Sequence, residues 1–469
     1  MACSGPNSGS LEALAPLAPV PVLLFNEKTL MNVFFMREAS PEPDADPGMD
    51  DDDDDEDDEE QEPTFCSCFW LRPGICPCCE PPISLSSRGA ALEIILRDDA
   101  EMGALQSTRL MSSVTARAII YNAYGEPAET IKCHSYKIDV DSLKPDDVVV
   151  ETVACPINPS DINQIQGVYP SRPPISADSL PELKSPAAVC GNEGLFKIIA
   201  TGSKVSNFKK GDWCIPANVN FGSWCTHKLG SDKEFIKVPQ TISVNHAATI
   251  SVNPSSAYQM LTYFEELKPG DWFIQNGANS QVGRAAIQIG KKLGLNSLNI
   301  VRNRDDIDEL VADLTALGAT KVITEDDNGS KEFGKTIKSW LNGKQIKLGM
   351  NCVGGSSVTG LARKLGPDAT LLTYGGMSMK PVILPTSLFI FKNLTAKGFW
   401  ITGNIKRIPN SRIDTIKAVL KMIEDGDLAE PKYDETKAKV SDLTDEKLLH
   451  IFTAGLANSK KGKQLVLFE

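Results

Sequence analysis

Between residues 272 and 376 the chain alternates short apolar runs with segments of helical period, and this repetition constrains the fold more than any other feature. Residues 272–276, 297–301, 321–324, 346–352 and 369–374 read as strands. Residues 280–293, 305–317, 331–342 and 356–365 read as helices. In the first of these, Val282, Ala285, Ala286, Ile289 and Leu293 fall on one face. Strands separated by helices at this spacing run parallel, joined by right-handed crossovers. The expected architecture is α/β, a doubly wound parallel sheet. A coiled coil, a collagen and a small disulfide scaffold are excluded. In such a sheet ligands bind beyond the carboxyl ends of the strands.

The turn after the first strand is Asn276-Gly277-Ala278-Asn279-Ser280-Gln281-Val282-Gly283. Placed between a strand and a helix, it offers free backbone N–H groups and a helix N-terminus to a dinucleotide pyrophosphate. Gly277 and Gly283 fit a Gly-x-x-Gly-x-x-Gly spacing, but Ser280 holds the middle position. The alternative is a tight turn without a ligand. The second strand ends in Val301-Arg302-Asn303-Arg304, where an NAD site would place an acid on the ribose 2′-hydroxyl. Two arginines instead suit a 2′-phosphate, which selects NADPH. The alternative for Arg302 and Arg304 is pairing with Asp305 and Asp306.

Upstream, residues 116–121, 148–154, 195–200 and 234–238 read as strands separated by Gly- and Pro-bearing turns. They predict a compact β-rich domain up to about residue 250. Beyond residue 384 the pattern is irregular, then helical at 411–425 and 445–457, with a final strand at 464–468.

The formal charge of −13 is unevenly spread. Residues 1–109 hold 23 acidic and 6 basic side chains, leaving 38 and 42 in the remainder. Residues 1–111, with an unbroken acidic run from Asp50 to Glu60, are expected to be a disordered acidic arm. The rest is mildly basic, which suits phosphate-bearing ligands and gives no basis for nucleic-acid binding. The apolar run from Ala13 to Phe25 is too short and too proline-rich to span a bilayer. Residues 103–125 contain no acid, two arginines and five Ser/Thr hydroxyls. That pattern predicts an internal mitochondrial presequence with Met102 or Met111 as the working start; a polar linker is the alternative. Cys66, Cys68, Cys76, Cys78 and Cys79 match no zinc ribbon, and the cysteines of the body read as buried free thiols.

With four histidines and no Cys/His cluster, no metal site is expected in the body. Gly191-Asn192-Glu193-Gly194 resembles the Gly-His-Glu-Gly of zinc alcohol dehydrogenases, with Asn192 in the place of their zinc-binding histidine. Without a metal to polarise a carbonyl, alcohol oxidation is disfavoured, whereas reduction of an activated double bond needs none. In the segment Asn158 to Pro170, Tyr169 sits in a Gly/Pro-flanked loop. It reads either as a packed aromatic or as a phenol able to protonate a developing enolate.

Taken in order, NPSDINQIQGVYP, GNEG, TISVNPSSAYQML, NGANSQVG, VRNR, TYGGMS, GFW and ANSKKGKQL resemble the mitochondrial enoyl-thioester reductases. These are zinc-free members of the medium-chain dehydrogenase/reductase superfamily. The resemblance spans about residues 112–469. It implies a GroES-like catalytic domain (112–250 and 384–469) and a Rossmann domain (251–383). It also implies homodimers pairing through the cofactor domains, a mitochondrial matrix location, and NADPH-dependent reduction of trans-2-enoyl thioesters carried on acyl carrier protein.

By the same resemblance the catalytic tyrosine is Tyr169, and Asn253 lies near the nicotinamide. The phosphate turn is Asn279, Ser280, Gln281 and Val282, and the 2′-phosphate clamp is Arg302 and Arg304. Further cofactor contacts fall on Tyr374, Gly375, Gly376 and Met377, on Phe399, Trp400 and Ile401, and on Lys463. Trp400 also lines the acyl channel. Phe399 and Trp400 read otherwise as core aromatics, and Lys463 as a surface lysine. The acidic, cysteine-rich arm departs from the family, which begins with a short basic presequence. A quinone or alkenal reductase of the same fold is the enzymatic alternative. A non-catalytic NADPH-binding module for a partner protein is the alternative of another class.

Overall fold

The computed structural model describes residues 112–459 and 462–469. The acidic run, the arm cysteines and residues 103–111 lie outside them. The alternating segment forms a parallel sheet whose strands lie in the order Lys321–Thr324, Asn296–Val301, Trp272–Asn276, Ile346–Asn351, Thr370–Thr373 and Thr395–Gly398. The order reverses between the first and fourth strands in sequence, so the ligand crevice opens beyond Asn276 and Asn351. Helices Gln281–Lys292, Ile307–Leu317, Phe333–Leu341 and Gly355–Lys364 fill the crossovers. Gly318 ends the second in the left-handed region, at φ 109°.

The sheet carries a sixth strand that the sequence reading did not contain. Thr395–Gly398 pairs in parallel with Thr370–Thr373, and helix Thr386–Lys392 leads into it. Residues 395–398, on the catalytic-domain side of the expected boundary at 384, are therefore part of the parallel sheet. All four residues of this strand are exposed, so an edge strand of Thr, Ala, Lys and Gly showed no apolar run.

The remainder is antiparallel except for Asp434–Ala438, which pairs in parallel with Gln464–Phe468. A three-stranded sheet contains Ser113–Tyr121 and Lys132–Asp139. A seven-stranded sheet is built around Asp147–Ile157, and the final strand Gln464–Phe468 pairs with it. Strand Ser113–Tyr121 overlaps the expected presequence, and Ala116, Ala118, Ile119 and Tyr121 in it are buried. The segment from Ser113 onward is thus core rather than a removable leader. Helix Pro159–Ile165 interrupts the strands of the β-rich region, and helix Asn253–Thr262 follows just beyond it. Each has proline at its first turn, where the missing N–H costs nothing.

The largest buried cluster joins the two kinds of sheet. Leu195, Ile215 and Val238 from the antiparallel part pack with Phe273, Ala286 and Leu372 of the parallel part. Side chains at the crevice thus rest on one rigid support. None of the helices among the described residues is long and apolar enough to cross a membrane.

Candidate active site

The phosphate turn is shaped mainly by backbone. Gly277 adopts φ 60°, a region a side chain rarely enters. A Cβ on Gly283 would meet the Ala278 carbonyl oxygen at 2.5 Å, so glycine there lets helix and strand approach closely. Ser280 explains the missing middle glycine. It is the N-cap, and its hydroxyl accepts from Gly283 N at 3.1 Å. Beneath the turn, Asn276 Nδ2 donates to Asn351 Oδ1 (2.8 Å), tying the ends of the first and fourth strands together.

Asn253, Asn279, Ser280, Gln281, Tyr433 and Lys463 line a single cavity of about 570 Å³. Asn253 lies beside the Tyr433 hydroxyl, yet its amide N–H groups find no acceptor in hydrogen-bond geometry. A buried donor left unpaired costs about 1–3 kcal/mol, so this amide is open to a ligand acceptor. Val282 stays with the turn but packs its side chain against the core. The cavity, the close-approach glycines and the orphaned amide fit a dinucleotide.

The other expected contacts divide. Arg304 is held by an ion pair with Asp306, whereas Arg302 is exposed and makes no ion pair among the described residues. The Tyr374 hydroxyl is buried beside the Cys352 thiol, and burial pushes its pKa up. Gly375 lies against Cys352, Gly376 is open, and Met377 is exposed while its N–H donates to the Cys352 carbonyl. Phe399 is buried and meets Phe264 edge-on at 5.7 Å, so its side chain is a core aromatic. Ile401 begins helix Ile401–Arg407 and packs partly against the core.

Tyr169 is brought to Trp400 from 231 residues away. The helix before it starts with a capping box in which Asp161 accepts from Asn158 N at 2.8 Å. After the helix ends, the Val168 and Tyr169 N–H groups both donate to the Asn163 carbonyl. Trp400 caps helix Ile401–Arg407, and its indole Nε1–H donates to the Tyr169 hydroxyl at 2.9 Å. The rings stand edge to face, 6.1 Å apart. Since the phenol oxygen accepts this bond, its own proton is free for a substrate. Burial holds the Tyr169 phenol above its ordinary pKa, the indole bond works the other way, and the Asp161 charge adds to the rise. The group is therefore protonated at neutral pH, with a donor in place to stabilise the phenolate once the proton leaves.

Buried titratable residues act electrostatically on Tyr169 and Lys463. Burial raises the Asp161 carboxyl to about 6 and Glu193 to about 8. Lys463 feels both carboxylates, and burial lowers its pKa. Its placement on the cavity wall, largely buried, departs from a solvated surface lysine. Arg412, lowered by burial, lies within electrostatic reach of Glu193. Asp161 was legible as a capping-box residue, whereas Arg412 and Tyr433 come from remote segments that carry no motif. Among the described residues no cluster of three metal-ligating side chains occurs.

Known proteins share this fold. The alcohol dehydrogenase GroES-like domain model matches residues 144–252, and the zinc-binding dehydrogenase model matches 282–424. Together with the sheet topology, they define a medium-chain dehydrogenase/reductase. The mitochondrial enoyl-(acyl-carrier-protein) reductase 2 of Candida tropicalis is 50% identical over 374 residues, covering 76% of this chain and 94% of that protein. The solved complex of Etr1p with NADP and crotonyl-CoA superposes with a TM-score of 0.73 at 49% identity, covering 76% of this chain and 100% of that one. A Kluyveromyces marxianus protein named NADPH quinone oxidoreductase is 41% identical over 371 residues, covering 77% of this chain and 96% of that protein. The chain belongs to the zinc-free mitochondrial 2-enoyl-thioester reductase family.

Proposed function

We propose that the protein reduces trans-2-enoyl thioesters to saturated acyl thioesters with NADPH, in mitochondrial fatty acid synthesis. The observation that carries this reading is the Trp400–Tyr169 hydrogen bond, which presents a protonated phenol in a chain that also has a preformed dinucleotide turn. Bound NADPH supplies a hydride to Cβ of the substrate. The thioester carbonyl makes Cβ electrophilic, and the resulting enolate needs a proton at Cα. Tyr169 supplies that proton, or first a hydrogen bond to the enolate oxygen, while the Trp400 indole steadies the developing phenolate. The Asn253 amide orients the nicotinamide end, Ser280 and Gln281 with the helix N-terminus meet the pyrophosphate, and Arg302 meets the 2′-phosphate. Lys463 adds a cation to the same cavity.

In this reading residues 112–250 and about 399–469 form the catalytic unit around an inserted nucleotide unit. Acyl carrier protein carries the acyl chain, and the enzyme works in the mitochondrial matrix. It is a homodimer. Support for the dimer comes from the open edge strand Thr395–Gly398 and the adjoining exposed side chains Ile383, Phe389, Ile390 and Phe391.

The relative named as a quinone reductase favours a second reading, NADPH-dependent quinone reduction on the same scaffold. Steady-state rates with crotonyl-CoA and with a benzoquinone separate the two. Enoyl turnover exceeding quinone turnover is expected, and quinone turnover without enoyl activity would overturn the proposal.

A further inference from the structure

We propose that Gln164, Asn192 and Asn220 are positioning residues for Tyr169, forming an amide lattice that fixes the tyrosine loop. The proposal rests on the reading of Tyr169 as the proton donor and adds residues to which that reading assigns no part.

The lattice is directional, and Asp161 sets its direction. An ionised carboxylate only accepts, so Asn192 turns its NH2 toward Asp161 Oδ1 (2.6 Å). The second proton of that NH2 goes to Gln164 Oε1 at 2.7 Å. Gln164 is thereby oriented, and its Nε2 donates to the Ser171 carbonyl (2.7 Å) and to Asn220 Oδ1 (2.8 Å). Asn220 is oriented in turn: its Nδ2 donates to Ser171 Oγ at 3.0 Å, and its backbone N–H returns to Asn192 Oδ1 at 3.0 Å. Asn220 sits at φ 59°, which asparagine tolerates better than most residues.

Both ends of the lattice act on the tyrosine. Ser171, two residues after Tyr169, is held through its carbonyl and its hydroxyl. On the other side the Asn163 carbonyl receives the Val168 and Tyr169 N–H groups, and Arg172 donates to the Gly167 carbonyl. Tyr169 is bracketed between these anchors, with its hydroxyl aimed at the Trp400 indole. A histidine at position 192, as in Gly-His-Glu-Gly sequences, could not give two protons from one atom to Asp161 and Gln164. The asparagine that removes a metal ligand from the motif is thus the residue that builds the support of the loop.

The test uses the full chain with NADPH and crotonyl-CoA. Asn192→Ala is expected to lower kcat about 10- to 100-fold, the scale of an ångström of misplacement, with the NADPH KM changed less than about twofold. In a Tyr169→Phe background the same change should cost less than about threefold, because the group it positions is gone. Equal losses in both backgrounds would overturn the proposal. Asn220→Gly keeps the left-handed backbone and removes only the amide, so it guards against failure of Asn192→Ala to fold. Asn220→Asp, which still accepts from Gln164 and takes the Ser171 hydroxyl proton in place of donating to it, should restore most activity.

Amide hydrogen exchange supplies a readout independent of the chemistry. Asn220→Gly should speed exchange in residues 166–171 and leave residues 281–292 unchanged. Unchanged exchange in 166–171 would overturn the lattice even with Tyr169 intact. Unchanged turnover in Tyr169→Phe alone would instead remove the donor reading and leave the exchange result to judge the lattice.

Discussion

The phosphate turn and the tyrosine loop form the two halves of the proposed site, yet they are built from different material. In the turn the work falls mainly to backbone: a left-handed glycine, a glycine under a carbonyl, and a serine that caps the helix. In the loop it falls to side chains: three amides, a carboxylate and an indole drawn from four separate segments. Backbone sites come with the fold and serve many reactions, whereas side-chain sites are set residue by residue and define one. Coenzyme use thus follows from the parallel sheet, and the choice of substrate chemistry from the loop.

The sharpest way to break that contrast is Tyr169→Phe. We expect kcat with crotonyl-CoA to fall about a hundredfold or more while NADPH affinity holds, since a positioned proton donor contributes on that scale. Stopped-flow reduction and NADPH titration check the two halves separately. Next in size is Arg302→Ala. Losing a charge-assisted contact to the 2′-phosphate, of about 1.5–3 kcal/mol, should raise the NADPH Kd by one to two orders of magnitude and leave the NADH Kd alone. Arg304→Ala should cost only a few-fold, because Asp306 already occupies that guanidinium and exposed pairs contribute little.

Gly283→Ala probes the backbone side of the comparison. Its Cβ would press on the Ala278 carbonyl. Overpacking of this kind costs about 1–3 kcal/mol, seen as a lower denaturation midpoint together with weaker NADPH binding. The smallest effect is expected from Glu193→Gln. Burial holds the Glu193 carboxyl at about 8, while the unfolded chain ionises it near about 4.3. Between these values the folded protein keeps a proton that the unfolded chain releases, so this group makes stability decline as pH rises, levelling off above the folded pKa. Glu193→Gln should flatten that slope in melting temperature against pH; an unchanged slope would show that Glu193 is ionised in the folded protein.

The same contrast explains what the sequence disclosed. Regular alternation revealed the first five parallel strands, because each buries a short apolar run, as in the fully buried Trp272–Asn276. The sixth was hidden, since an exposed edge strand of Thr395-Ala396-Lys397-Gly398 has no core to pattern it. The phosphate turn was legible because its glycines and cap lie within eight residues. Helix Pro159–Ile165 is legible from Asn158, Pro159 and Asp161, a cap, a first-turn proline and a capping-box acid. The tyrosine site was opaque to spacing alone. Trp400, Asn192 and Asn220 meet Tyr169 and its loop only after folding, so Tyr169 was found through family resemblance rather than through local pattern.

The most direct measurement is the stereochemistry of protonation. Reduction of crotonyl-CoA in D2O places deuterium at Cα, and NMR of the product assigns its configuration. With Tyr169 as the donor, the native enzyme should yield one Cα epimer, and Tyr169→Phe should yield slow turnover with a mixture of both. A Tyr169→Phe enzyme that forms the same single epimer at the native rate would contradict the account.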